Sequence, residues 1–144
     1  MPTRPIGEIV RNQSLVTATR DLAVRDAARL MAREKVGALL VIESDRLLGI
    51  FTERDALYRV LAAGLDADGT TVGEVMTQHP ITISPDRPLA HALCIMYDSG
   101  FRHLPVAEGG RVIGVVSARD ALGGDLLEFE KELQHRDELA ERMR

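Results

Sequence analysis

The sequence predicts a mixed α/β (α+β) chain: one strand–helix–strand–strand–helix unit used twice, then a C-terminal helix. Three observations predict it. Residues 15–57 align without a gap on residues 80–122, and thirteen of the 43 pairs are identical, among them Thr17/Thr82, Asp21/Asp86, Gly49/Gly114 and Arg54-Asp55/Arg119-Asp120. A repeat of this length is one supersecondary unit used twice, each copy too small to bury its apolar face alone. Within each copy a stretch of helical period precedes two runs rich in Val, Ile and Leu joined by a turn. Finally, 45% of the 144 residues are apolar but only 3% are aromatic and none is Trp, so the core is built from Val, Ile, Leu, Ala and Met.

Each copy opens with a helical stub, Ile6-Gly7-Glu8-Ile9-Val10 and Val72-Gly73-Glu74-Val75-Met76. A short strand is expected next, Leu15–Ala18 and Pro80–Ile83. Beyond Asp21 the amphipathic helix turns Val24, Ala27, Ala28 and Met31 inward and Arg25, Asp26, Arg29 and Arg33 outward. Its counterpart, Leu89 to Tyr97, is apolar nearly all round, which implies burial on both faces, either under the tail or at a subunit interface. Two strands follow, Ala38–Ile42 and Leu47–Phe51 around Glu43-Ser44-Asp45-Arg46, and His103–Ala107 and Val112–Val116 around Glu108-Gly109-Gly110-Arg111. A second helix begins after Thr52 and after Ser117. Residues 63–71 read as the linker between copies. Gly123-Gly124 are expected to break the last helix of copy two. The tail Asp125–Arg144 reads as a charged helix with a stripe at Leu126, Phe129, Leu133, Ala140 and Met143.

Composition removes several functions. The net charge of −4 gives no bulk attraction for nucleic acid. A single cysteine, Cys94, excludes an internal disulfide and a cysteine zinc site and suits a reducing cytoplasm. No apolar run approaches the roughly 20 residues of a membrane span, and Met1-Pro2-Thr3-Arg4-Pro5 has no signal-peptide core. No His or carboxylate set has metal-ligand spacing, and no Ser or Cys has a spaced base partner. His91 and His135 read as structural or solvated, His79 has no evident partner, and Cys94 reads as inert packing or interface.

What recurs is Gly-x-x-Thr/Ser-x-x-Asp at the junction of third strand and second helix: Gly49, Thr52, Asp55 and Gly114, Ser117, Asp120. A helix N-terminus presents unpaired N–H groups and suits phosphate. A cap hydroxyl can bond a phosphate or ribose oxygen, and an Asp one turn in can accept ribose hydroxyls. The strand-end Gly allows close approach of a flat ligand. Arg54 and Arg119 stand beside the cap and can neutralise phosphate. The same residues also fit a capping box, with Gly49 and Gly114 as bulge glycines. The box prefers Glu or Gln where this chain has Asp twice, and the residues alone leave both readings open.

The doubled unit resembles a tandem pair of CBS domains, named for cystathionine beta-synthase. The resemblance rests on Val36-Gly37-Ala38-Leu39-Leu40-Val41, Arg102-His103-Leu104-Pro105-Val106, Leu48 to Asp55, Ile113 to Asp120 and the entry Glu74-Val75-Met76-Thr77. It implies CBS domains at residues 5–64 and 72–123, with 124–144 as a helical tail outside them. It further implies units packed sheet to sheet around two clefts for adenosyl ligands: AMP, ADP or ATP, with S-adenosylmethionine or NAD as alternatives. One cleft would join Thr52, Arg54 and Asp55 to Ile81, Thr82, Arg102, His103 and Pro105. The other would join Ser117, Arg119 and Asp120 to Val16, Thr17, Gly37 and Ala38. The Arg102-His103 pair faces Gly37-Ala38 in the alignment, so the clefts should differ in charge, with His103 a candidate phosphate contact. The expected protein is a regulatory sensor with no catalytic cofactor. It would be a homodimer through its CBS helices and act on an effector protein. The competing class is a constitutive interaction scaffold with empty clefts; an enzyme acting on the nucleotide is a third, disfavoured for want of a base or metal site.

Overall fold

The computed structural model describes residues 4–143. The mixed α/β architecture with two repeated units and a C-terminal helix is present. The chain forms two compact units that cross the repeat boundaries: Ser14–Ile81 with Gly109–Val112, and residues 4–13, Thr82–Glu108 and 113–143. The stub opening copy one thus belongs to the unit carrying copy two.

In the copy-one unit a four-stranded sheet runs in the order β1 (Thr17–Ala18), β2 (Ala38–Glu43), β3 (Arg46–Thr52), β4 (Thr77–Gln78). β1 is parallel to β2, and the other pairs are antiparallel. Ala38 to Val41 are all buried, so this strand is covered on both faces and reads as a continuous apolar run. Helix α2 (Val24–Glu34) lays Val24, Ala27 and Met31 onto Leu39, Val41 and Phe51. Ala28, expected inside, is exposed; it lies at the margin of the stripe, and the larger Leu30 is half-buried against the core. The hairpin turn places Ser44 and Asp45 at φ 51° and 60°. Copy two puts Gly109 and Gly110 there at 60° and 81°, the two positive values a primed turn demands and glycine adopts without strain.

The second helix of copy one starts as a single turn, α3 (Glu53–Asp55), and continues as π-helical backbone over Ala56–Leu61. The expected linker is an ordered cap for α2. The Val24 N–H donates to the Thr70 carbonyl at 2.9 Å and the Arg25 N–H to the Ala67 carbonyl at 3.0 Å. Two N–H groups that the helix start leaves orphaned are satisfied in this way. Helix α4 (Val72–Val75) leads into β4.

The copy-two unit contains α1 (Ile6–Val10), α5 (Leu89–Ser99), the hairpin of β5 (His103–Glu108) and β6 (Arg111–Ser117), and α6 (Gly123–Arg142). Its core gathers Ile6, Val10, Leu89, Leu93, Met96, Leu104, Val106 and Val116. The expected strand Pro80–Ile83 is absent; one parallel bridge, Ile83 with Val106, remains. The cause is Pro105. In copy one the Leu40 N–H donates to the Val16 carbonyl at 2.9 Å; proline at the matching position has no N–H to offer. On the far side of β6, the Gln13 side chain substitutes for a fourth strand. Its amide accepts from Val115 N–H at 3.0 Å and donates to the Val115 carbonyl at 2.8 Å.

Gly123-Gly124 do not break the helix but begin α6; the break falls just before, where Ala121 and Leu122 are extended. Helix α6 covers α5 through an edge-to-face pair of Tyr97 and Phe129 (5.9 Å) and an ion pair of Asp98 and Arg136 (2.9 Å). The face of α5 at Cys94, a candidate subunit interface, is therefore covered by the chain's own tail. Of the expected α6 stripe, Phe129 and Leu133 are half-buried, while Leu126, Ala140 and Met143 are exposed. Twenty residues extend about 30 Å and the eleven of α5 about 16 Å, so α6 outruns its support.

Candidate functional site

Sheet register places the copy-one candidates at one sheet end. Thr17 lies opposite Leu40 and Ala38 opposite Thr52. The Glu53 N–H donates to the Gly37 carbonyl at 3.0 Å. Val16, Thr17, Gly37, Ala38 and Thr52 thus gather where α3 begins. Copy two repeats the key bond: the Ala118 N–H donates to the Arg102 carbonyl at 3.0 Å. Within that unit Arg102 and Thr82 are exposed, His103 is half-buried and Pro105 is buried. Ile81, grouped with the copy-one unit, is 51% exposed.

The capping box exists in both copies. In copy one the Thr52 N–H donates to Asp55 Oδ2 at 2.9 Å and the Asp55 N–H to Thr52 Oγ1 at 3.2 Å. In copy two the Ser117 N–H donates to Asp120 Oδ2 at 2.7 Å. Each box uses the same carboxylate oxygen, so satisfying the helix start does not consume the carboxylate. Asp55 Oδ1 lies 3.6 Å from Arg59 Nε. Asp55 is 8% exposed and Asp120 is half-buried. Arg54 and Arg119 are exposed residues beside the caps, and the Arg54 guanidinium lies 6.0 Å from the centre of the Tyr58 ring.

Of the two readings of the repeated glycines, the bulge has support at Gly49, where the β2–β3 register shifts between Val41 and Ile42. A Cβ on Gly49 would lie 2.5 Å from Met76 Sδ and 2.7 Å from the Thr77 carbonyl oxygen. One on Gly114 would lie 2.5 Å from Val10 Cβ and 2.9 Å from Gln13 Oε1. These glycines admit the close approach of the chain's own β4 at Gly49 and of Val10 and Gln13 at Gly114.

The identical pair Asp21 and Asp86 precedes α2 and α5. Hydrogen bonds from the Thr19 and Ser84 hydroxyls hold both carboxyls below their ordinary range. Cys94 donates to Glu132 Oε2 at 3.1 Å. Burial, reinforced by Glu132, pushes its thiol up to about 12, so it stays protonated and unreactive. Among the described residues no group of three or more His, Cys, Asp or Glu could hold a metal ion, and no helix is long and apolar enough to cross a membrane.

Sequence reading missed Asp125 and Arg4. Asp125 is 3% exposed and accepts from Leu122 N–H at 2.9 Å and from Arg4 Nη2 at 2.7 Å. Burial alone would raise its pKa, but the bonds from Arg4 and Leu122 outweigh that and hold it low. An acidic residue in the first turn of a helix was the available signal; nothing local announces a partner 121 residues away.

Two copies of a helix–strand–strand unit, each ending in a hydroxyl–Asp box at a helix start, define a tandem module. The CBS domain family matches this chain over residues 6–62 and 72–125, and the chain belongs to that family. It is 36% identical over 126 residues to the mitochondrial CBS domain-containing protein CBSX3 of Arabidopsis thaliana, across 84% of this chain and 61% of that protein. This chain therefore spans under two thirds of that relative's length. A CBS domain protein of Pyrobaculum aerophilum solved with AMP superposes with a TM-score of 0.78 at 26% identity, over 88% of this chain and 98% of that one. The CBS domain pair of protein MJ0100, solved with 5′-methylthioadenosine and S-adenosyl-L-methionine, gives 0.73 at 26% identity, over 83% and 93%.

Proposed function

We propose that this chain is a regulatory module that binds an adenosyl nucleotide and passes its occupancy to a partner protein. The observation that carries the reading is the pair of hydroxyl–Asp boxes, in which the backbone N–H of Thr52 or Ser117 goes to Oδ2 alone. The other carboxylate oxygen can then accept from a ribose hydroxyl. Two related structures that hold AMP, and methylthioadenosine with S-adenosylmethionine, support the class of ligand. They do not choose among AMP, ADP, ATP, S-adenosylmethionine and NAD. The ribose acceptors are Asp55 and Asp120, with Thr52, Ser117, Arg54 and Arg119 beside them. The remaining residues are those the resemblance implies: Ile81, Thr82, Arg102, His103 and Pro105 for Asp55, and Val16, Thr17, Gly37 and Ala38 for Asp120. Binding, with no chemistry on the nucleotide, is the proposed activity.

A thermal-shift series with AMP, ADP, ATP, S-adenosylmethionine and NAD at millimolar concentration tests it. A ligand at about 100 times its dissociation constant adds roughly 2.7 kcal/mol to the native state, a rise of several degrees in Tm for a chain of this size. If none of the five moves the midpoint, the scaffold reading replaces the sensor. That reading has its own support, since both carboxylates already accept from their cap N–H without ligand.

Self-association is also proposed. With Cys94 covered by α6, its motive moves to Leu57, Tyr58 and Leu61, which are 50, 61 and 73% exposed on one helix. A cytoplasmic location is proposed on the lone cysteine, although the Arabidopsis relative carries "mitochondrial" in its name.

A further inference from the structure

The geometry points to Arg4 as a positioning residue for the Asp120 site and as the tie between that site and α6, an inference that rests on the adenosyl reading above. Arg4 Nη2 donates to the Asp120 carbonyl oxygen at 2.6 Å and to Asp125 Oδ2 at 2.7 Å, and Nε reaches the same oxygen at 3.2 Å. One planar guanidinium therefore grips two points of the segment that carries the site, as only a rigid fork of donors can. Asp125 in turn accepts from the Leu122 N–H, fixing the extended break between the Asp120 turn and the first turn of α6. Ser117, Asp120, Leu122 and Asp125 are thus knitted into one piece through a single side chain.

Arg4 is itself fixed at its backbone. Its carbonyl accepts from the Leu89 N–H at 3.0 Å, and the next residues continue the attachment: the Ile6 N–H donates to Arg87 O at 2.9 Å and the Gly7 N–H to Pro85 O at 2.8 Å. The brace therefore transmits force between the start of α5 and the Asp120 turn. Its carboxylate end is 3% exposed and its guanidinium end 33%, so water competes weakly for the bond.

Among the described residues copy one has no counterpart of the Arg4–Asp125 pair; its Asp55 is held instead by Arg59, which bonds the Val75 and Met76 carbonyls at 3.1 and 3.3 Å and so ties that site to the entry of β4, not to α6. The positions matching Arg4 and Asp125 are Thr70 and Val60; like the Arg4 carbonyl, which accepts from Leu89 N–H, the Thr70 carbonyl accepts from Val24 N–H. There the helix runs on through Ala56–Leu61, and Asp55 faces Arg59 of its own helix. The two boxes are alike in their caps and unlike in what holds them. A ligand drawn to Asp120 meets a preorganised turn whose position is shared with α6. By linkage, a ligand that prefers the braced turn must also favour the docked α6. Copy two is therefore the site whose occupancy reaches the C-terminal helix, and copy one is the site that does not.

The test compares wild type, Arg4→Ala, Arg4→Lys, Asp120→Asn and Asp55→Asn by calorimetry with AMP or, if AMP is not bound, with whichever of ADP, ATP, S-adenosylmethionine and NAD the wild type binds. Amide hydrogen exchange over residues 121–142 is followed with and without the same compound. Arg4→Ala should weaken the Asp120-dependent site about tenfold, the scale of one charge-assisted bond. The Asp55-dependent site should stay within about twofold, since an effect below 0.5 kcal/mol is the scale of an uninvolved position. Arg4→Lys, which can reach one acceptor but not grip both, should fall between; it also carries the comparison if Arg4→Ala does not fold. Ligand should slow exchange in α6 of wild type and not of Arg4→Ala. Equal loss at both sites, no loss at either, or equal ligand protection of α6 in the variant would each overturn the tie while leaving nucleotide binding standing. A wild type that binds none of AMP, ADP, ATP, S-adenosylmethionine and NAD overturns the adenosyl reading, and this inference with it.

Discussion

Replacing Asp125 by Asn removes one charge from the most buried ion pair among the described residues. The carboxylate is 3% exposed and accepts three bonds, two from Arg4 and one from the Leu122 N–H. Breaking a fully buried pair costs about 3–5 kcal/mol. Arg4 is 33% exposed, so it can recover hydration, and the amide oxygen of Asn can still accept from Leu122. Both discounts bring the expected loss to about 2 kcal/mol at neutral pH, or roughly 4–8 °C in Tm. The sign of the pH dependence follows from the direction of the shift. The Asp125 pKa is held below its ordinary value, so its contribution is complete above the unfolded pKa of about 4 and is lost as pH falls through the folded value. Urea unfolding of wild type and variant at pH 7 should show the full gap, and the gap should narrow steadily below about pH 4. A variant as stable as wild type at pH 7, or a gap that is constant into acid, would refute the reasoning.

Two further outcomes rest on other parts of the molecule. Gly49→Ala should cost about 1–3 kcal/mol by overpacking, because its Cβ would meet Met76 and the Thr77 backbone, which cannot yield freely; chemical denaturation measures this, and a neutral variant would remove the account of that glycine. The Cys94 thiol, with its pKa pushed up to about 12 by burial and Glu132, should react with a thiol reagent at pH 8 only as fast as the copy-two unit opens, and fast labelling of the native protein would contradict its placement.

The repeat made most of the architecture legible. Both hairpins, the stub α1, helix α2 and the capping boxes stand where alternation, period and turn chemistry put them. The failures have local physical causes. The strand at Pro80–Ile83 is expected by analogy with Leu15–Ala18, but Pro105, although its carbonyl accepts from Ile83 N–H at 3.0 Å, has no N–H to make the bond that Leu40 makes to Val16. Residues 63–71 look like a linker in composition yet supply the carbonyls that cap α2. Gly123-Gly124 read as a breaker, but the break is imposed just upstream by Asp125 and its distant partner Arg4. Of the two readings open for the repeated glycines, the bulge account has support at Gly49, beside the register shift between β2 and β3, while the close approach of β4, Val10 and Gln13 was not readable from the sequence. At the candidate site the Asp and hydroxyl positions were readable from the doubled motif, and the difference between the two copies was not, because it depends on a contact spanning 121 residues.

Calorimetry with the preferred adenosyl ligand on Asp55→Asn and Asp120→Asn tests the central claim most directly. Asn keeps the shape and an oxygen to accept the cap N–H, so melting of the free proteins should change by no more than about 1 kcal/mol. The charge-assisted bond to the sugar is lost, worth about 1.5–3 kcal/mol or roughly ten- to a hundredfold in affinity. The account predicts one weakened site in each variant, a different one each time. Unchanged affinity at both sites with a lowered melting point in both variants would return Asp55 and Asp120 to the capping box alone.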